Sequence, residues 1–118
     1  MASDMKIEID ARETTTVIFL AGDLDWAGAA RLTACVDRLS SGQRTQAVII
    51  DMSGLEFTDS SGLDAIAHCQ KQCRTSGISF AIQNPRPLVE RMLVATGDAA
   101  RLTIVGARPA SGGARDDA

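Results

Sequence analysis

Residues 51–64 read DMSGLEFTDSSGLD, from Asp51 to Asp64, between an apolar run rich in β-branched residues (Ala47 to Ile50) and a helical pattern. The run before it suits a buried strand, because β-branched side chains pack well on a pleated surface. After it, Leu63, Ile66, Cys69 and Cys73 recur on one helical face, with Asp64, His68, Lys71 and Thr75 on the other. Between the two lie a turn with glycine (Ser53, Gly54), a second apolar step (Leu55, Phe57) and Asp59-Ser60-Ser61-Gly62, where a helix should begin. Strand, turn and helix in succession are the repeating unit of an α/β fold. A serine at such a helix start has two roles open to it. Its oxygen can cap the helix by accepting a backbone N–H, or it can accept a phosphoryl group, which free N–H groups and the helix dipole favour there.

With 118 residues the chain is sized for one domain with one modest core. Aromatics make up only 3% of it, so that core must be built from Val, Ile, Leu, Ala and Met. A formal charge of -3 without a Lys/Arg cluster argues against a phosphate-neutralising surface, and hence against nucleic acid as a partner. No apolar run approaches the roughly 18 to 20 residues that span a bilayer. The N-terminus MASDMKIEID also lacks the apolar centre of a signal peptide, so a cytoplasmic chain with no membrane partner is expected. Cys35, Cys69 and Cys73 are odd in number and lie inside helical patterns, which fits reduced thiols.

Taken in order, Lys6 to Asp10 alternates apolar and charged residues, and Thr14 to Ala21 is β-branched and aromatic almost throughout. The short link Ala11-Arg12-Glu13 forces these two strands to be antiparallel, because a parallel neighbour needs a crossover of about a dozen residues. Gly22-Asp23-Leu24-Asp25 then opens a helix with its stripe at Leu32, Cys35, Val36 and Leu39, Asp25 as N-cap and Gly42 as the stop. Ala47 to Ile50 reads as a central strand buried on both faces, so helices are expected on both sides of the sheet. The helix after the opening stretch ends near Ser76-Gly77, and Ile78 to Ile82 is a further strand. Asn84-Pro85-Arg86-Pro87 opens a third helix, with Asn84 able to cap it, both prolines in its first turn, a stripe at Leu88, Val89, Met92 and Leu93, and Gly97 closing it. Leu102 to Val105 adds a short last strand, and the tail from Ala107 to Ala118 has almost nothing to bury and is expected to be disordered.

The prediction is therefore an α/β domain over residues 5–106: a mixed, mostly parallel sheet of four to five strands, an antiparallel N-terminal edge strand and three main helices. Right-handed crossovers bring the C-terminal ends of the parallel strands to one edge. Asp23 to Trp26, Thr58 to Ser61 and Asn84 to Arg86 should share that rim.

Chemistry at the rim is limited by what is missing. A serine nucleophile needs a base within reach, and the only histidine, His68, lies on the wet face of the same helix, displaced from Ser60 by roughly 12 Å along the axis. A small hydrolase is therefore the weakest functional class, and no Gly-x-Ser-x-Gly elbow occurs. Cys69, Cys73 and His68 have metal-compatible spacing, but the thiols fall on the apolar face and read as core; no metal and no cofactor are expected. GxGxxG and GxxxxGK[ST] loops are both missing. Trp26 reads first as a partly buried packing residue and second as an interface anchor. Asp23, Asp25 and Asp59 read as caps and turn formers, although phosphate added at Ser60 would repel the rim acids.

The pattern resembles the STAS domains, named for sulfate transporters and anti-sigma factor antagonists. The residues that carry the resemblance are Ile49-Ile50-Asp51, then Leu55 and Phe57, then Asp59-Ser60-Ser61-Gly62-Leu63, together with the Gly22-Asp23-Leu24-Asp25 turn and the segment from Asn84-Pro85 to Thr96-Gly97. The resemblance implies a small bacterial anti-sigma factor antagonist. In such proteins the serine directly after the Asp, here Ser60, is phosphorylated by a partner that is both anti-sigma factor and serine kinase of the histidine-kinase-like ATPase type, and a serine phosphatase restores it. Ser61 is the lesser alternative. The implied partner surface comprises Asp23, Asp25, Trp26, Thr58, Asp59, Ser60, Ser61, Gly62 and Asp64, and the implied protein is no enzyme. Asp64 departs from the small or apolar residue of many relatives. The membrane segment of the transporter branch is missing too, which sets that branch aside. The alternative function is a constitutive adaptor subunit of a transport or signalling assembly, with Ser60 acting only as a cap.

Overall fold

In the computed structural model, the protein is described over residues 5–95 and 102–106. The elements run β1 (Lys6–Arg12), β2 (Thr15–Leu24), α1 (Trp26–Ser41), β3 (Ala47–Thr58), α2 (Ser60–Thr75), β4 (Ser79–Gln83), α3 (Pro87–Ala95) and β5 (Thr103–Val105). The strands form one five-stranded sheet in sequence order, with β1 antiparallel to β2 and all other pairs parallel. Three helices and a mixed sheet with an antiparallel first pair are thus as expected. No described helix is long and apolar enough to cross a membrane. The expected stop at Gly97 and the tail from Ala107 lie outside the described residues.

Pairing register shows where the core sits. Ile18, Ile50, Ile82 and Ile104 lie side by side across four strands on one face. Against that face pack Leu32, Cys35 and Val36 of α1, Ile66, Cys69 and Cys73 of α2, and Val89 and Leu93 of α3, in a single apolar cluster. Val17, Phe19 and Ile49 point the other way and take no part in it. The expectation of helices on both sides is therefore corrected. Strands laid down in sequence order step in one direction only, and right-handed crossovers stepping one way place their helices on one face. Covering both faces would require the strand order to reverse.

The Ser53-Gly54 turn is also corrected: β3 runs straight through it to Thr58. Its pairing with β2 shifts register between Phe19 and Ala21 and again between Gly22 and Asp23. Each shift opposes an extra β3 residue to β2, the signature of a β-bulge, which bends and twists the pair. Since β4 ends opposite Asp51, β2 and β3 continue as a two-stranded ribbon beyond the sheet proper. At the tip of this ribbon α1 and α2 begin.

One predicted rim becomes two levels as a result. Arg86 Nε donates to the Ser53 carbonyl oxygen at 2.9 Å and Asn84 Nδ2 to Asp51 Oδ2 at 3.2 Å, so the Asn84–Arg86 loop sits beside the base of the ribbon. Gly54 pairs with Ala21 and Thr58 with Leu24, three residues apart on β2, which is about 10 Å of ribbon at ~3.3 Å per residue. Asn84 is not the helix cap: it is left-handed (φ 54), and its N–H donates to the Val105 carbonyl at 2.8 Å. The first turn of α3 closes on the Arg86 carbonyl, so Pro87 alone holds the first helical position, where its missing N–H costs nothing. Leu88, expected in the buried stripe, is exposed.

Candidate functional site

Two helix starts of the same construction stand side by side at the ribbon tip. Leu24 of β2 is paired with Thr58 of β3, and each is followed by an aspartate that caps a helix. Asp25 (φ -104, ψ -170) accepts the Gly28 N–H on Oδ1 at 2.9 Å. Asp59 (φ -99, ψ -174) accepts the Gly62 N–H on Oδ1 at 2.9 Å. Both extended caps satisfy the donor at the third helical position. Trp26 and Ser60 then occupy equivalent first positions of adjacent helices. The repeated Asp-x-x-Gly spacing was visible in the sequence and is the signal that reveals the pairing.

Capping falls to Asp59 and not to Ser60. The expectation that Ser60 could cap α2 is corrected by geometry: a residue already inside the first turn cannot reach the N–H groups that the preceding side chain occupies. The two serines also differ. Ser61 Oγ donates to Asp59 Oδ1 at 2.6 Å, whereas Ser60 is exposed and its hydroxyl has no partner among the described residues. The Ser61 hydroxyl, followed by the Gly62 N–H, holds the Asp59 carboxyl below the usual carboxylate range.

Of the remaining predicted site residues, Thr58 and Gly62 are buried and set the geometry from behind. Thr58 Oγ1 lies 3.3 Å from the Leu24 carbonyl oxygen and 3.2 Å from that of Asp59, and the Asp59 N–H donates to the same Leu24 oxygen at 3.2 Å. Gly62 rests directly on this knot. A Cβ there would lie 2.6 Å from the Leu24 oxygen, 2.8 Å from Leu24 Cγ and closer still to Thr58 Oγ1. Asp23 and Asp64 are exposed, as is Glu56 on the ribbon.

Trp26 is 77% exposed, so its reading as a packing residue is corrected. As the first helical residue of α1 it shares a face with the exposed Ala30 and lies opposite the buried Gly28. Phe57, 44% exposed, is a residue that sequence patterning missed. Leu55 and Phe57 are two apart and on a regular strand would share a face, yet Leu55 is buried. The bulge at Glu56, where Gly22 pairs with Leu55 and Asp23 with Phe57, turns Phe57 outward.

At the lower level, Asp51 is 4% exposed and is surrounded by donors. It accepts the Ser53 hydroxyl at 2.6 Å, the Ser53 N–H at 2.9 Å, Gln83 Nε2 at 2.7 Å and Asn84 Nδ2 at 3.2 Å. Burial alone would push its carboxyl up, but these donors together outweigh that and hold it below the usual range. The role is structural: one carboxylate ties the first bulge of β3 to the end of β4.

His68 is exposed on α2 with Nε2 3.3 Å from Asp37 Oδ1, so it is oriented toward α1 and away from Ser60. Cys35, Cys69 and Cys73 are buried free thiols. Burial pushes all three up, Cys73 to about 11. Among the described residues no group of three or more His, Cys, Asp or Glu is placed to hold a metal ion.

Comparison with known proteins agrees with this architecture. The chain is 24% identical over 94 residues to an anti-sigma F factor antagonist of Paenibacillus polymyxa, covering 80% of each chain. It superposes on an anti-sigma factor antagonist from Mycobacterium paratuberculosis with a TM-score of 0.76 at 19% identity, covering 89% of this chain and 90% of that one. The antagonist SpoIIAA in its unphosphorylated form gives 0.74 at 20% identity, covering 84% and 87%. Its phosphorylated form from Bacillus gives 0.69 at 19%, covering 84% and 90%. At these identities the superpositions show a shared fold. The STAS domain model matches residues 6–106, nearly the whole chain, and the protein belongs to the STAS domain family.

Proposed function

We propose that the protein is an anti-sigma factor antagonist whose contact surface is the ribbon tip and whose binding is switched off by phosphorylation of Ser60. The observation that carries this reading is the division of labour at α2: Asp59 caps, Ser61 is tied to it, and the Ser60 hydroxyl is exposed and without a partner among the described residues. The similarity to proteins named as anti-sigma factor antagonists supports the same conclusion. The partner would be an anti-sigma factor that is also a serine kinase of the histidine-kinase-like ATPase type. In that step Ser60 Oγ attacks the γ-phosphorus of ATP, ADP leaves, and the hydroxyl proton passes to a base supplied by the kinase, since His68 is turned toward Asp37 and Asp59 Oδ1 is engaged by the Ser61 hydroxyl and the Gly62 N–H. A serine phosphatase reverses it by hydrolysis of the Oγ–P bond.

Placed among rim acids, a phosphate of charge about -1.5 to -2 opposes docking by repulsion and desolvation. The constitutive-adaptor alternative gave Ser60 a capping role, which Asp59 already fills. The test is incubation with the purified anti-sigma kinase of the same organism and ATP, with the site mapped by mass spectrometry. Phosphate on Ser60 is expected, with Ser60→Ala retaining partner binding and Ser60→Asp losing it. A kinase that binds the protein yet leaves Ser60 unmodified would overturn the switch.

A further inference from the structure

We infer that Trp26 and Phe57 are the apolar anchors of the contact surface around Ser60, and that they seat in an apolar cleft rimmed by Lys and Arg on the anti-sigma factor; this rests on the function proposed above.

Position comes first. Because Leu24 and Thr58 are paired and both caps are built alike, Trp26 stands beside Ser60 at the start of the neighbouring helix. Adjacent strands lie about 4.8 Å apart, so the two residues fall within one contact footprint. Phe57 precedes Ser60 by three residues on the same ribbon tip.

Aromatic residues are scarce in this chain. It has one Trp, three Phe and no Tyr. Phe80 packs against the core, while Trp26 (77%), Phe57 (44%) and Phe19 are exposed. The area an aromatic leaves in water contributes no burial energy to the fold, whereas Trp is among the residues most enriched at interface hot spots. Phe57 would share the inward face of Leu55 but for the bulge at Glu56, and bulges commonly re-aim a side chain beside a functional site.

Charge specifies the occupant. No Lys or Arg occurs between Gly22 and Ala30 or between Met52 and Gln70, the two segments that build the tip. Asp23, Glu56 and Asp64 are exposed there, and none has an ion-pair partner among the described residues. Like-charged surfaces avoid each other, so the complementary face is cationic around an apolar centre.

Trp26 is also the assay, since with no other Trp and no Tyr its emission reports on this position alone. The probe is the purified anti-sigma factor of the same organism with its own tryptophans replaced by phenylalanine. Binding should shift Trp26 emission to the blue and protect it from acrylamide. By calorimetry, Trp26→Ala should weaken binding about thirtyfold or more, Trp26→Phe much less, and Phe57→Ser about tenfold. Asp23→Asn with Glu56→Gln and Asp64→Asn should weaken binding and flatten its salt dependence. Val94→Ser, an exposed apolar residue at the far end of α3, should bind as wild type. Circular dichroism melts confirm that each variant is folded. Absence of wild-type binding overturns the functional reading and this inference with it. Normal, phosphate-sensitive binding with an unshifted Trp26, an undiminished Trp26→Ala, or an equal loss in Val94→Ser overturns the anchors alone. Salt-independent binding overturns the cationic cleft.

Discussion

Replacing Gly62 with alanine sets two effects against each other, and the structure decides between them. In a helix interior, Ala is favoured over Gly by about 1 kcal/mol, so propensity alone predicts stabilisation. The added methyl, however, would lie 2.6 Å from the Leu24 carbonyl oxygen, a main-chain atom that also accepts from the Asp59 N–H. Relief requires the start of α2 to move off the ribbon, and overpacking of this kind costs about 1–3 kcal/mol or more. The expected result is a net loss of about 1–2 kcal/mol, or roughly 4–8 °C in Tm for a domain of this size. Gly28 supplies the internal control, being the same helical position under an identical cap on α1. There the new methyl meets Met5 Sδ and Cε at 3.1 Å and Asp25 Oδ1 at 3.4 Å; the tight contacts are to the terminal atoms of a flexible side chain and not to backbone, so the propensity gain should survive. Urea unfolding followed by far-UV circular dichroism should separate the two variants by about 2 kcal/mol, with Gly28→Ala at or above wild type. Agreement between them within about 0.5 kcal/mol would refute the claim that the Leu24 carbonyl sets how closely α2 can approach.

Asp51→Ala strands four donors and should cost about 2–4 kcal/mol, whereas Asp51→Asn keeps an acceptor for Ser53 and should cost less; urea midpoints measure both. The folded carboxyls of Asp51 and Asp59 are both lowered, so their contribution is complete above the unfolded value near ~3.9 and is lost as pH falls through the folded values. Unfolding free energies from pH 7 to 2 should therefore fall less steeply for the Asp51→Asn/Asp59→Asn pair than for wild type. Asp59→Ala should cost about 1 kcal/mol as a lost cap and free the Ser61 hydroxyl. On the proposed reading the kinase then modifies both serines, and phosphate still confined to Ser60 would show that Asp59 does not distinguish them. The three thiols should resist a thiol reagent in the native protein and react in urea; fast native labelling would contradict their burial.

Element types and order were legible because they rest on local signals: the stripe of Leu32, Cys35 and Val36, the Asp25 cap, the β-branched run before Asp51. The misreadings are non-local. Ser53 and Gly54 look like a turn to any local rule, but their backbone is held in β3 by pairing with β2 and by Asp51 accepting from Ser53, contacts that only the assembled sheet supplies. The same bulges broke the two-residue period that would have placed Phe57 inside. Helix placement failed for a different reason, since an apolar strand reads alike whether one or both faces are covered, and strand order carries that information. Ser60 was correctly located at a helix start, yet which of three adjacent polar side chains caps depends on a one-residue offset that propensity does not resolve.

Because capping rests on Asp59, a phosphate on Ser60 can act on binding without acting on the fold. Taking ~7 Å between a phosphate of charge about -2 and one rim carboxylate, the repulsion in bulk water is about 1 kcal/mol. The helix N-terminus returns ~0.3–1 kcal/mol of attraction to the same phosphate, so the free domain is left nearly unchanged. Docking a partner removes that water. With an effective dielectric constant of about 20 the same pair repels by about 5 kcal/mol, several powers of ten in affinity before any partner cation offsets it. On the proposed reading, the switch therefore needs no rearrangement of α2. It requires that the phosphate stand among carboxylates that are tolerable in water and costly in an interface, and that the side chain holding the helix be a different one from the side chain that is modified.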